Sequence, residues 1–382
     1  MSMPAEDSPR VKRYHRTRRV LGVAGFAVDF LLLVVLLATG WTISFRVWAE
    51  AASTRPVIAL VIYLAILGLL SKGLSLPLDF VQGYWLEHRY GLSNQTIGGW
   101  IVDQLKGLAV GGALAILGLE FLYWTLRRWP SHWWVVCALA FIGFFVLLAN
   151  LAPVLILPIF FKFKPLENPA LSERLVNLCL RARTRVRGVF EWKLSEKSKK
   201  ANAALVGLGN TRRIILADTL LAAFSDDEVE AVLAHELGHH VHRHIFQGMA
   251  MQGAATFVGF YLADLVLRRL TPFFGFRGVS DFANLPLLAL VMTALSLALL
   301  PAVNAHSRRM ERQADEYALG AIPERSAFIS SMEKLGDLNL AERRPHPWIE
   351  FIFHSHPSLE KRLAFAQRFA RPPQDAPPVP SR

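Results

Sequence analysis

The chain has 382 residues, of which 53% are hydrophobic and only 19% charged, whereas a soluble domain is normally about one-quarter charged. The surplus apolar surface has to face lipid, which argues against a string of water-soluble domains. The formal net charge of +12 is unevenly placed: Arg10, Lys12, Arg13, Arg16, Arg18 and Arg19 crowd ahead of the first long apolar run, where a topology signal is a better reading than a nucleic-acid-binding arm. Cys137 and Cys179, the only cysteines, form no disulfide framework and no cysteine metal site.

A helix needs about 20 apolar residues to cross the hydrocarbon core. Six stretches meet or approach that length: 20–43, 57–80, 101–124, 133–161, 246–267 and 285–305. Asp103, Lys106 and Glu120 in the third, with Asp79 and Asp264 elsewhere, read as side chains reaching the interface rather than lining a polar cavity. The basic arm over 1–19 puts the N-terminus in the cytoplasm. Four spans over 20–161 return the chain to that side, so the insertion over 162–245 is cytoplasmic. A hairpin of two spans over 246–305 brings 306–370 back to it. Arg268, Arg269 and Arg277 fall on the opposite side and run against the rule.

Within the insertion, 168–187 reads as an amphipathic helix, and 189–194, 202–206 and 213–217 as strands, being rich in β-branched and apolar residues. Three short strands beside helices make a small α+β cap. The proline-dense tail over 371–382 is expected to be disordered. The fold class is therefore mainly α, a polytopic membrane helical protein with a small cytoplasmic α+β cap.

The stretch from Ser225 to His240 carries the chemistry. Ser225 and Glu228 form a capping box, and Asp226 and Asp227 suit the positive end of a helix dipole, so a helix begins there. His235 and His239 lie one turn apart on one face of it, a spacing that lets two imidazoles share a zinc ion. Glu236, rotated by about 100°, lies beside the open position and can take a proton from a water that the metal acidifies. A third ligand should come from another helix. Glu311 and Asp315, one turn apart after the sixth span, offer it: one can bind zinc while the other accepts the free N–H of a zinc-binding histidine. His240, His242 and His244 are expected to continue the first helix, either as a second metal site or, the better reading, as a polar exit from the membrane interface.

His235-Glu-Leu-Gly-His239 followed by Glu311-Arg-Gln-Ala-Asp315 resembles the M48 metallopeptidases, and specifically the Ste24-type CaaX prenyl proteases. The likeness extends to Leu86-Glu-His-Arg-Tyr-Gly-Leu-Ser-Asn-Gln-Thr96, to Asn202-Ala-Ala-Leu-Val-Gly-Leu-Gly209 with Arg213-Ile-Ile-Leu-Ala-Asp-Thr-Leu220, and to Ser355-His-Pro-Ser-Leu-Glu-Lys-Arg362. The resemblance implies one zinc ion per chain held by His235, His239 and Glu311, with Glu236 as general base. Asp315 becomes the carboxylate behind a zinc ligand, sometimes assigned as a proton donor. It also implies that His356 and Arg362 approach the substrate carbonyl and steady the oxyanion, and that Asn202 and Ala203 lie on an edge strand that pairs with an extended substrate.

The family fold is a ring of seven helices around a water-filled chamber, a number the six spans plus the zinc helix would reach. The expected partners are peptide or protein substrates, prenylated ones included, and membrane lipid, with no nucleic acid. The Pro-rich C-terminus without an ER-retrieval signal, and the compact length, fit a bacterial inner-membrane protein. The function expected is membrane-embedded zinc endoproteolysis, including CaaX-type C-terminal processing. The alternatives are an HtpX-like quality-control protease acting on misfolded or signal-type membrane peptides, and a non-catalytic transporter or scaffold.

Overall fold

The computed structural model describes residues 7–369, so the tail expected over 371–382 lies outside the described residues. Helix α1 (Pro9–Ala38) starts well before the apolar run: Ser8 Oγ accepts from the Val11 N–H at 3.3 Å and Pro9 takes the first helical position. The basic arm is thus a rigid extension of the first span. A turn at Gly40, with φ of +71°, leads into α2 (Trp41–Ala52), whose 12 residues cover roughly 18 Å at 1.5 Å each, too short to cross. Helix α3 (Pro56–Phe80) runs through a π-helical turn into α4 (Leu86–Arg89). After α5 (Ile97–Arg128), α6 (Trp133–Leu151) passes through a second π turn into α7 (Leu157–Phe160).

The cap follows. Strands β1 (Phe163–Pro165), β2 (Val189–Trp192), β3 (Ala203–Val206) and β4 (Arg213–Ala217) form one sheet in the order β1-β2-β4-β3. The sequence reading gave three of these strands and missed β1, a three-residue element carrying Pro165. Strand β2 pairs parallel with β4, while β1 and β3 are antiparallel edges. Helix α8 (Pro169–Arg181) is shorter than the amphipathic pattern suggested. A single turn, α9 (Asp218–Ala223), leads to α10 (Asp226–Val241). Its capping box is present as expected: the Ser225 N–H donates to Glu228 Oε2 at 2.8 Å and the Glu228 N–H to Ser225 Oγ at 3.3 Å.

One expectation fails at the other end of α10. The helix does not run on through His244: His242 caps it, Arg243 takes a left-handed φ of +55°, and α11 (His244–Leu270) begins in a new direction. After a 3₁₀ turn at Phe282–Asn284, α12 (Leu285–Ala321) is one helix of 37 residues, about 55 Å long. It crosses the apolar layer and continues into the cap. Helices α13 (Arg325–Leu338), α14 (Pro347–Phe353) and α15 (Leu359–Arg368) close the cap around its end.

Among the described residues six helical segments are long and apolar enough to cross a membrane, the lower of the two numbers expected. Helix α10 does not supply a seventh, because it packs inside the cap against α8, α12, α13 and β3. No more than 28% of the apolar window of any span is buried, so most of that surface faces lipid or the space between helices. At that depth Lys72 is paired with Asp79 at 2.6 Å and donates to Gln104 Oε1 at 2.7 Å. Asp264 is buried near the end of α11, accepting from Trp133 Nε1 at 2.7 Å and from Arg268 at 2.9 Å. That ion pair, with Arg277 on Glu50 at 2.7 Å, accounts for two of the arginines that run against the positive-inside pattern.

The cap is clamped to the helices on two sides. Residues 92–94 pair with 197–199 in a short antiparallel strap (Lys199 N–H to Leu92 O, 2.9 Å; Asn94 N–H to Lys197 O, 3.1 Å), and Lys197 reaches Asp103 at 2.6 Å. On the other side His15 Nε2 lies 2.7 Å from Leu340 O and Arg19 pairs with Glu342 at 2.7 Å. The basic end of α1 and the cap therefore share one end of the bundle.

Within the cap α10 packs closely against α12. A Cβ on Gly238 would come within 2.8 Å of Ala314 Cα and 3.1 Å of Ala314 O. Gly238→Ala is expected to force the two helices apart, at about 1–3 kcal/mol, and to lower the thermal midpoint of the detergent-solubilised protein. Gly320→Ala, where nothing lies within 4 Å, should leave that midpoint in place.

Candidate metal centre

His235 and His239 project from one face of α10, and their Nε2 atoms stand 3.3 Å apart. Glu311 meets them from α12, with Oε2 3.3 Å from His235 Nε2 and Oε1 3.3 Å from His239 Nε2. Edges near 3.3 Å are those of ligand atoms around a tetrahedral ion with bonds of about 2.0–2.1 Å. Among the described residues this is the one His/Cys/Asp/Glu cluster close enough to hold a metal. Glu311 Oε2 is also buried without a hydrogen bond, although His235 Nε2 and His356 Nδ1 (2.8 Å) are near it. A buried carboxylate oxygen left that way is costly, and a cation between the three groups would satisfy it. The residues fit a metal.

The two acidic candidates take different positions. Asp315 Oδ1 lies 2.8 Å from His235 Nδ1, on the far edge of the ring from the cluster, so this Nδ1 donates and Nε2 is left to face Glu311. Arg362, from α15, grips the same carboxylate with Nε to Oδ2 at 2.9 Å and Nη2 to Oδ1 at 2.6 Å. Burial by itself lowers the pKa of His235; the Asp315 and Glu311 carboxylates outweigh it and lift the value to about 9. In the metal-free protein a proton holds this ring, and a metal must displace it.

His239 is oriented by a residue the sequence reading had dismissed. His244, turned back by the Arg243 bend, sets Nδ1 2.9 Å from His239 Nδ1 and Nε2 3.0 Å from Gln313 Oε1. Five residues is no helical repeat, so spacing gave no signal for this pair. His240 likewise has a structural use: its Nε2 lies 3.1 Å from Leu205 O and occupies one end of β3. Asn339, which no motif singled out, clamps the other end, accepting from the Ala201 N–H at 2.9 Å and donating to Ala201 O at 3.1 Å.

The Glu236 side chain makes no hydrogen bond among the described residues. It faces a cavity of about 830 Å³ shared with Glu311, His356, Arg362, Asn202 and Ala203. Burial pushes its carboxyl above the ordinary value, against the pull of the two imidazoles. The Ala217 N–H donates to Asn202 O at 3.0 Å, so Asn202 turns its backbone toward β4. Alternation in an antiparallel ladder then turns the N–H and C=O of Ala203 to the open edge and the cavity. His356, its side chain 61% exposed, comes to Glu311 from the open side. Arg362 is brought into the site as expected, yet two of its three guanidinium nitrogens are engaged by Asp315.

The fold and the His–His–Glu cluster define a metallopeptidase built into the membrane. Residues 165–370 match the family model described as Peptidase family M48. Residues 2–162 match that described as CAAX prenyl protease N-terminal, five membrane helices, although among the described residues of that stretch four helical segments reach spanning length. The chain belongs to peptidase family M48, of the Ste24 type. It is 30% identical over 367 residues to the metalloprotease YhfN of Bacillus subtilis, covering 95% of this chain and 86% of that one. It is 30% identical over 324 residues to CAAX prenyl protease 1 of Saccharomyces cerevisiae, covering 79% and 70%. The crystal structure of S. mikatae Ste24p superposes with a TM-score of 0.82 at 26% identity, covering 93% of this chain and 87% of that one.

Because Asp315 fixes the tautomer and aim of His235, Asp315→Asn should weaken metal binding by about 10–100-fold. Competition against a chromogenic chelator reads this directly; an unchanged affinity would remove Asp315 from the site's support.

Proposed function

We propose that this chain is a zinc endopeptidase that hydrolyses peptide bonds beside the membrane and removes C-terminal residues from CaaX-type proteins, prenylated ones included. The observation that carries the reading is an edge-strand residue, Ala203, whose backbone has no partner on its open side among the described residues and which lies in one cavity with Glu236 and the His–His–Glu cluster. An extended peptide added to that edge lays its backbone along the carboxylate of Glu236. The name of the yeast relative, CAAX prenyl protease 1, supports the substrate class.

In this reading His235, His239 and Glu311 hold one zinc ion per chain. The ligand set of two histidines and a carboxylate with near-tetrahedral edges favours zinc over other divalent metals. When bound, the ion supplies Lewis acidity to the peptide carbonyl and acidity to a water. Glu236 accepts the proton of the attacking water and returns it to the leaving amine, a role favoured by burial, which raises its carboxyl above the ordinary value. Asp315 holds His235, and Arg362 holds Asp315. His356, exposed at the open side of the cavity, donates to the carbonyl oxygen as charge develops on it. The Ala203 N–H and C=O, beside Asn202, fix the register of the substrate.

The basic start of α1 and the cap share one end of the bundle, which by the positive-inside rule favours the cytoplasmic face for the site. The bacterial relative of comparable length favours a bacterial inner membrane.

Glu236→Gln is expected to reduce cleavage of a farnesylated CaaX peptide by about 10²–10⁴-fold while zinc, measured on the same protein, stays bound. Zinc retention with undiminished cleavage would take Glu236 out of the reaction. Stripping the wild type with a chelator should abolish cleavage, and stoichiometric Zn²⁺ should restore it. Failure of Zn²⁺ where another divalent ion succeeds would reassign the metal.

A further inference from the structure

The basic start of α1 reads from sequence as a topology signal, yet His15, Arg18 and Arg19 line the same cavity as Glu236 and Glu311. Two of the three are engaged there: His15 on Leu340 O at 2.7 Å and Arg19 on Glu342 at 2.7 Å. Arg18 is different. It is exposed, lies beside the Tyr14 hydroxyl, and has no carboxylate partner among the described residues. The remaining acids of the wall are accounted for, since Glu342 is neutralised by Arg19, and Glu236 and Glu311 belong to the metal centre. Arg18 is thus an uncompensated cation on the wall of the substrate cavity.

Its place along β3 gives it a meaning. Asn339 clamps Ala201, two residues before β3, and the next residue, Leu340, is the one His15 holds. The basic turn of α1 therefore stands at the Ala201 end of the edge strand, while His240 occupies the Leu205 end. A peptide pairing antiparallel with β3 runs against it, so its C-terminal end points to Ala201 and to Arg18. A terminal carboxylate meets a guanidinium in a bidentate, charge-assisted pair.

We propose that Arg18 receives the free α-carboxylate of the substrate, so that the enzyme recognises the chain end and releases a short C-terminal peptide measured from it. This rests on the CaaX reading and names what that reading needs at the far end of the cavity. The basic residues ahead of the first span then serve specificity as well as orientation.

The test uses the full-length protein in detergent with two farnesylated CaaX peptides, one ending in the free acid and one in the carboxamide. Wild type should favour the acid by about tenfold or more in kcat/KM, the scale of one charge-assisted hydrogen bond. In Arg18→Gln the acid-to-amide ratio should fall to near one, and in Arg18→Lys, which keeps the charge without the fork, it should recover in part. The ratio is taken within one preparation, so the fraction of folded protein does not enter it. A wild-type ratio near one, or a ratio unmoved in Arg18→Gln, overturns the carboxylate assignment and leaves the CaaX reading standing. Cleavage of neither peptide by wild type overturns the CaaX reading itself, and this proposal with it.

Discussion

Where α10 crosses α12, the missing side chain of Gly238 lets one helix approach the backbone of the other at Ala314. His239 follows Gly238 in the chain and His235 lies one turn earlier; Glu311 and Asp315 flank Ala314 by three residues and one. The depth of that crossing sets how far the Glu311 carboxylate stands from the two imidazoles, and 3.3 Å edges leave little tolerance. Because α12 is also a membrane span, the same crossing fixes the height of the site above the apolar layer. A packing constraint of one residue thereby ties the metal centre to the bundle.

Around that crossing the supporting groups come from separate parts of the chain. Arg362 arrives on α15, His244 from the turn after α10, and the edge strand from the middle of the cap. Each restrains an element that carries a reacting group: Arg362 through Asp315 to His235, His244 to His239, and Asn339 to the start of β3. The Leu86–Thr96 segment, which bears the resemblance without bearing chemistry, straps residues 197–199 and so anchors the approach to β3. Helix α1 holds the opposite flank of the cavity. The cavity is thus walled by both the bundle and the cap.

The transmembrane layout was legible because long apolar runs are a one-dimensional signal, although α1 starts early at Pro9 and ends at Ala38, with a short separate helix α2 after the Gly40 turn. The helix start at Ser225 was legible for the same kind of reason, a local cap. The strand β1 was not, since three residues containing a proline carry almost no periodicity. His244 was misjudged because the left-handed turn at Arg243 breaks the helical register on which the reading relied.

The sequence by itself determined the class of chemistry: two histidines and a glutamate at helical spacing, a second helix with two acids one turn apart, and enough apolar length for six spans. These depend on neighbours in the chain, where bond geometry and helical pitch dictate which side chains share a face. Tertiary structure alone decided which acid faces the metal-binding nitrogens, which histidine supports which, and which end of β3 meets the basic turn of α1. Those are relations between segments tens to hundreds of residues apart, set by how closely packed helices approach, and no local pattern encodes that distance.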